Sequence, residues 1–203
     1  MRRSGHRATS IVLGLLCVMY LITYVDRVNI STAALAFRTE LGLSNVQYGW
    51  IFSAFAYSYA LFQIIGGWIG DRYGPRLVLG VCGLVWAVAT LGTGLAGGFW
   101  SLIFARFVLG LGEGATFPTS TRAMSSWTRA GWRGFAQGIT HSFARFGNAV
   151  TPPLVAALIA ATSWRGSFVV LGIGWLIAAV LCLLLQPEKP HGVAEVPERI
   201  ETK

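Results

Sequence analysis

Of the 203 residues, 54% are hydrophobic and 12% charged, about half the roughly 25% charge of a soluble domain. With a mean hydropathy of +0.60, these values exclude a soluble domain, a disordered chain, collagen and a coiled coil, and the three scattered cysteines Cys17, Cys82 and Cys182 exclude a disulfide-stapled module. The net charge of +8 does not point to nucleic acid, because the 16 basic residues, 14 Arg and 2 Lys, flank apolar runs rather than lining one face.

Those apolar runs fall at about 10–37, 46–70, 76–97, 99–121, 134–160 and 164–186, each long enough to cross about 30 Å of hydrocarbon. Continuous apolar stretches of this length are helical, since a bilayer offers no water to unpaired backbone groups. The expected fold is therefore an all-α membrane protein of six transmembrane helices. It is flanked by a cytoplasmic N-terminus at 1–9 and a polar, proline-containing linker or tail at 187–203. The basic start from Met1 to Arg7 is like a signal peptide, but no small-residue cleavage site follows Leu21-Ile22, so the segment is expected to be retained. Between the third and fourth runs only the small turn Gly97-Gly98 intervenes, which implies an antiparallel hairpin. A weak likeness between the first and second groups of three runs is what an inverted repeat would leave.

Counting along the chain, Arg2, Arg3, Arg7, Arg72, Arg76, Arg122, Arg129, Arg133, Lys189, Arg199 and Lys203 fall on one side, against Arg38 and Arg165 on the other. The positive-inside rule places both termini in the cytoplasm of a plasma or inner membrane. The tryptophans, among them Trp68, Trp100, Trp127, Trp132 and Trp164, mostly flank spans and read as interfacial anchors.

Three segments carry unusual chemistry. The turn after the second span reads Gly67-Trp68-Ile69-Gly70-Asp71-Arg72-Tyr73-Gly74-Pro75-Arg76; Gly74 permits a conformation that a side chain resists and Pro75 suits a helix start. Within the first span, Asp26 and Arg27 stand in Tyr24-Val25-Asp26-Arg27-Val28-Asn29-Ile30-Ser31. Charges there cost about 2.5–3.5 kcal/mol each on insertion scales, so they face a watery cavity or partners, or else they end a shorter helix at the outer surface. The fourth span places Arg106 and Glu113 seven residues apart with Gly110, Gly112 and Gly114 interspersed, ahead of Phe117-Pro118. That spacing puts both charges on one helix face about 10 Å apart, either as a packing pair or as a site. No strand precedes these glycines, so a dinucleotide loop is excluded.

Taken together, the three segments resemble the major facilitator superfamily, and specifically its anion:cation symporter branch of sugar-acid and organic-anion carriers, over about residues 10–186. The resemblance implies the N-terminal six-helix half of a major-facilitator fold, with no cofactor and no enzymatic activity. It implies Arg27 and Arg106 as ligands of a substrate carboxylate, Tyr59 as a hydroxyl donor, Asp26 and Glu113 as a proton-coupling pair, and Gly67, Asp71, Arg72, Gly74 and Arg76 as a conformational latch. A small organic anion and H+, with Na+ as the alternative coupling ion, are the implied partners, along with the lipid bilayer. The fifth span departs from the branch pattern: Ala144 in His141-Ser142-Phe143-Ala144-Arg145 stands where a polar amide is usual. Arg145 is then an additional anion contact or faces the other half of a carrier, and His141 is a second proton site or a packing residue. The prolines Pro152-Pro153 are expected to kink that span outside the cavity.

Carriers of this family normally have twelve spans, so six imply the N-terminal half of a longer proton-coupled carrier. The alternatives are a half-sized carrier that pairs with itself or with a separate C-terminal half, and a membrane scaffold that no longer transports. Three dispersed histidines, none beside a cysteine, supply no metal cluster or nucleophile-base pair.

Overall fold

The computed structural model describes residues 2–187, with side chains from residue 8 onward, and these residues are helical apart from short turns. The expected tail beyond 187, and the side chains of Arg2, Arg3 and Arg7, lie outside the described residues. In chain order the helices are α1 (Arg2–Leu41), α2 (Asn45–Tyr73), α3 (Pro75–Gly94), α4 (Phe99–Gly114), α5 (Thr116–Trp127), α6 (Arg133–Ala161) and α7 (Trp164–Leu185). Five of them, α1, α2, α3, α6 and α7, are long and apolar enough to cross a membrane. The span expected at 99–121 is divided: α4 has 16 residues and α5 has 12, separated at Ala115. Pro118 accounts for the break, because it has no N–H for the carbonyl of Gly114 and its ring crowds that carbonyl.

Local chemistry sets the other boundaries. Ser44 caps α2 by accepting from the Gln47 amide while Gln47 accepts from the Ser44 amide, a reciprocal capping box. Gly74, at φ +82°, makes the turn into α3, which Pro75 opens. Rather than ending at Asp26-Arg27, α1 continues for 14 more residues to Leu41, so both charges sit well inside a helix. The helix α6 runs unbroken through Pro152-Pro153.

Three pairings dominate the packing: α1 along α6, α2 along α4, and α3 along α7. Exchanging the first three spans with the last three, α4 and α5 counting as one, maps these pairings onto themselves. This is the pattern of an inverted repeat. Glycine makes the close approaches. A Cβ on Gly110 of α4 would lie 2.6 Å from the Phe55 carbonyl oxygen of α2, and one on Gly147 of α6 would lie 2.8 Å from the Leu21 carbonyl oxygen of α1. Where the driving force is packing rather than water exclusion, such contacts hold helices together.

The two ends of the bundle differ in chemistry. At one end Arg122 of α5 pairs with Asp71 of α2, Arg76 Nε donates to the Leu183 carbonyl at 2.8 Å, and Arg133 donates to the Ser125 carbonyl at 3.0 Å. At the other, Glu40 accepts from Trp164 Nε1 and from Arg165 Nη2 at 2.9 Å. Trp164, read from sequence as an interfacial anchor, is buried against Phe37 and Phe168. A leucine at Gly110 or Gly147 is expected to destabilise the bundle by about 1–3 kcal/mol, the usual range for overpacking. Detergent-denaturation midpoints measure it, and an unchanged midpoint for either variant would show that these helices do not depend on the close approach.

Candidate functional site: a cationic hollow between α1, α2 and α4

Adjacent positions on a helix point about 100° apart, and Asp26 and Arg27 accordingly leave α1 in different directions. Arg27 reaches α4, where its Nε donates to Glu113 Oε2 at 3.0 Å. The contact uses one edge of each group: Arg27 Nη2 and Glu113 Oε1 are both buried without a hydrogen-bond partner. The pair therefore falls short of the two-point fork that guanidinium and carboxylate favour. Rings surround the Arg27 guanidinium, with the centroid of Tyr59 at 4.4 Å, Tyr24 at 5.3 Å, and Phe55 and Phe117 each at 5.6 Å. In a desolvated site each such face offers about 2 kcal/mol.

Asp26 is turned toward α3 and α7. Trp175 Nε1 donates to its Oδ1 and Thr90 Oγ1 to its Oδ2, both at 2.9 Å. The carboxyl is thus held by neutral donors rather than by the arginine beside it in sequence.

Arg106, on α4, is 3% exposed. Its guanidinium lies 5.4 Å from the Phe168 ring centroid and its Nε has no hydrogen-bond partner. Among the described residues it forms no ion pair. Arg27 and Arg106 line a common hollow of about 160 Å³ with Ile30, Phe52 and Phe55.

The expected site residues are thus sorted into different places. Arg27 and Arg106 meet in the hollow, and Glu113 stands behind Arg27. The packing-pair reading of Arg106 with Glu113 is corrected, since the partner of Glu113 is Arg27 on another helix. Tyr59 meets Arg27 with its ring face, while its hydroxyl accepts from Gln63 Nε2 at 3.0 Å. Asp26 and Glu113 are buried, face partners and do not line the hollow. In the last turn of α2, Asp71 pairs with Arg122, which the sequence marked only as a topological charge; Arg72 lies over the Trp68 and Tyr73 rings. Gly67 lies against Pro118 of α5, whose Cβ would be 3.5 Å from a Cβ placed there. His141 packs edge-on against Tyr20 with centroids 5.4 Å apart, and Arg145 is exposed on α6.

Sequence reasoning missed Thr90, Trp175 and the ring cage. Trp175 carried a signal, a tryptophan in the middle of a span rather than at its edge; Thr90 carried none.

The Major Facilitator Superfamily profile matches residues 16–202. The chain is 53% identical over 181 residues to the protein named "Probable sulfoacetate transporter SauU" of Cupriavidus necator, covering 88% of this chain and 42% of that one. It is 39% identical over 170 residues to a hexuronate transporter of Bacillus subtilis, covering 84% and 40%, and 35% identical over 184 residues to a D-galactonate transporter of Escherichia coli, covering 90% and 43%. It thus spans less than half the length of these relatives. A bacterial homologue of the human lysosomal transporter Spinster, in an inward-facing unoccupied conformation, shares the fold with a TM-score of 0.85 at 23% identity, over 94% of this chain and 46% of that one.

Removing one member of a buried pair leaves an uncompensated charge, at a cost of about 3–5 kcal/mol. Glu113→Ala is expected to destabilise the bundle on that scale, and the double variant Arg27→Leu with Glu113→Leu to recover most of the loss. Unfolding in mixed micelles reads both; a double variant as unstable as the two single losses added together would contradict the pairing.

Proposed function

The chain belongs to the major facilitator superfamily, and from that membership and the two guanidinia in one hollow we propose that it forms half of a carrier that moves a small organic anion across the membrane, coupled to protons. The observation that carries this reading is Arg106, a buried cation facing the hollow with no ion-pair partner among the described residues. A charge held this way costs several kcal/mol unless an anion meets it. A carboxylate or sulfonate is the natural complement, since a guanidinium presents parallel donors to a planar or tetrahedral oxyanion. The 53% identical relative is named for sulfoacetate, which has two anionic ends, and two guanidinia would take one each.

Coupling follows from competition for Arg27. An arriving anion draws the Arg27 guanidinium from Glu113 Oε2, and a buried carboxylate stripped of its counter-charge is neutralised by a proton. By linkage, protonation of Glu113 frees Arg27 and favours anion binding in return. The ring cage supports this exchange, because it offers the guanidinium aromatic faces as it turns from one partner to the other. Asp26 serves as the second proton site, with Thr90 and Trp175 fixing its carboxyl.

Alternating access needs a second six-helix half moving against this one, supplied by a longer polypeptide, a separate chain or a second copy. The Asp71–Arg122 pair, with Gly67, Arg72, Gly74 and Arg76 around it, acts as the latch, joining α2 to α5 on the side of the basic loops, which is cytoplasmic under the positive-inside rule. Both termini then lie in the cytoplasm of the plasma or inner membrane.

When the chain is joined to a second six-helix half and reconstituted, Arg106→Ala and Arg27→Ala are each expected to lower uptake of sulfoacetate or a sugar acid more than tenfold. Unchanged uptake in either variant would remove the site assignment. Glu113→Gln is expected to lose uptake driven by a pH gradient yet keep counterflow exchange, and equal loss of both would make Glu113 structural. Asp71→Ala is expected to slow turnover while equilibrium binding of the anion persists.

A further inference from the structure

The hollow is not the largest concavity. A groove of about 360 Å³ lies between α2 and α3, walled by residues that include Phe62, Ile69 and Tyr73 of α2 and Leu77, Val81 and Val85 of α3. Its floor is Leu111, Gly112 and Ala115, where α4 meets α5. We propose that this groove is a binding site for one acyl chain of an anionic phospholipid, with the headgroup held by Arg72 at its mouth.

Length and position select this occupant. From Tyr73 to Phe62 is 11 residues, about 16 Å at 1.5 Å per residue, which is half of the roughly 30 Å hydrocarbon core. The groove therefore runs from one surface to the bilayer midplane, the depth of a single leaflet. Its walls are apolar, so they suit an acyl chain but cannot choose among lipids, because every tail is as apolar as the next. Selection falls to the mouth. There Arg72 is exposed, its guanidinium 5.6 Å from the Trp68 ring centroid and 5.8 Å from that of Tyr73, aromatic residues of the kind that sit at headgroup level. Arg76 is half-buried and turned to α7, its Nε committed to the Leu183 carbonyl. The adjacent carboxylate, Asp71, is paired with Arg122, so the mouth favours an anion. A basic residue near the surface gives roughly fivefold preference for an anionic lipid. Because the floor includes Ala115, the occupant touches the break between α4 and α5, two residues from Glu113.

The test uses the purified chain delipidated and then offered equal amounts of phosphatidylglycerol and phosphatidylcholine, with retained lipid counted by native mass spectrometry. One phosphatidylglycerol is expected per chain, at about fivefold or greater preference. Arg72→Gln is expected to bring the ratio towards one, and Val81→Trp, which fills the groove, to abolish retention while helicity persists. Phosphatidylglycerol bearing a diazirine on its acyl chain maps the site in the unaltered chain, independently of whether Val81→Trp folds, and its adducts are expected on α2 and α3 peptides around Ile69 and Val81. Equal retention of both lipids, or adducts spread over all exposed helices, would overturn the proposal. So would cross-linking of Cys82 to a second copy, which would make the groove a contact between chains.

Discussion

A charge placed in hydrocarbon must be answered by something, and the arrangement of this bundle follows from how four such charges are answered. Arg27 and Glu113 answer each other across two helices. Asp26 is answered by two neutral donors from α3 and α7. Arg106 forms no ion pair among the described residues and faces an aromatic ring and a hollow. The first two arrangements are structural devices as much as chemical ones, since each ties α1 to a different neighbour. The third differs in kind, and this difference turns a packing description into a functional one.

The ties and the close approaches belong to one design. Gly110 and Gly114 bring α4 against α2, with the Cβ that Gly114 lacks falling 2.9 Å from the Tyr59 carbonyl oxygen. That approach brings Phe55 and Tyr59 beneath the arginine whose partner is on α4. Pro118 then interrupts the same span, so Glu113 lies immediately before the break. A change at the ion pair is thereby placed next to a joint, and the segment beyond the joint carries Arg122, which holds Asp71 at the far end of α2. Hollow, break and the Asp71–Arg122 pair lie along one path of about 24 Å, counting from Arg106 to Arg122 at 1.5 Å per residue.

The repeat in the packing gives this path a counterpart. The pairing of α2 with α4 corresponds to that of α1 with α6, and Gly147 does for the second what Gly110 does for the first. The site draws on both members of one such pair of counterparts, because α4 corresponds to α1 in this exchange and each carries charges within its span, Arg106 and Glu113 on α4 and Asp26 and Arg27 on α1.

Much was legible in the one-dimensional chain. Apolar run length foretold the helices, because a bilayer permits few other ways to satisfy backbone polar groups. Charges inside those runs identified Asp26, Arg27, Arg106 and Glu113, because their cost in hydrocarbon makes them conspicuous. Glycine at the turn between α2 and α3 announced the +82° φ of Gly74. Partnership was not legible. Whether Glu113 answers Arg106 two turns away or Arg27 on another helix depends on how closely α1 approaches α4. Whether Asp26 turns to an arginine or to Trp175 depends on the rotation of α1 about its axis. Neither distance nor rotation is a property of any segment alone; both arise only when all the helices pack together, which is why the tertiary structure alone decided which charge each residue meets.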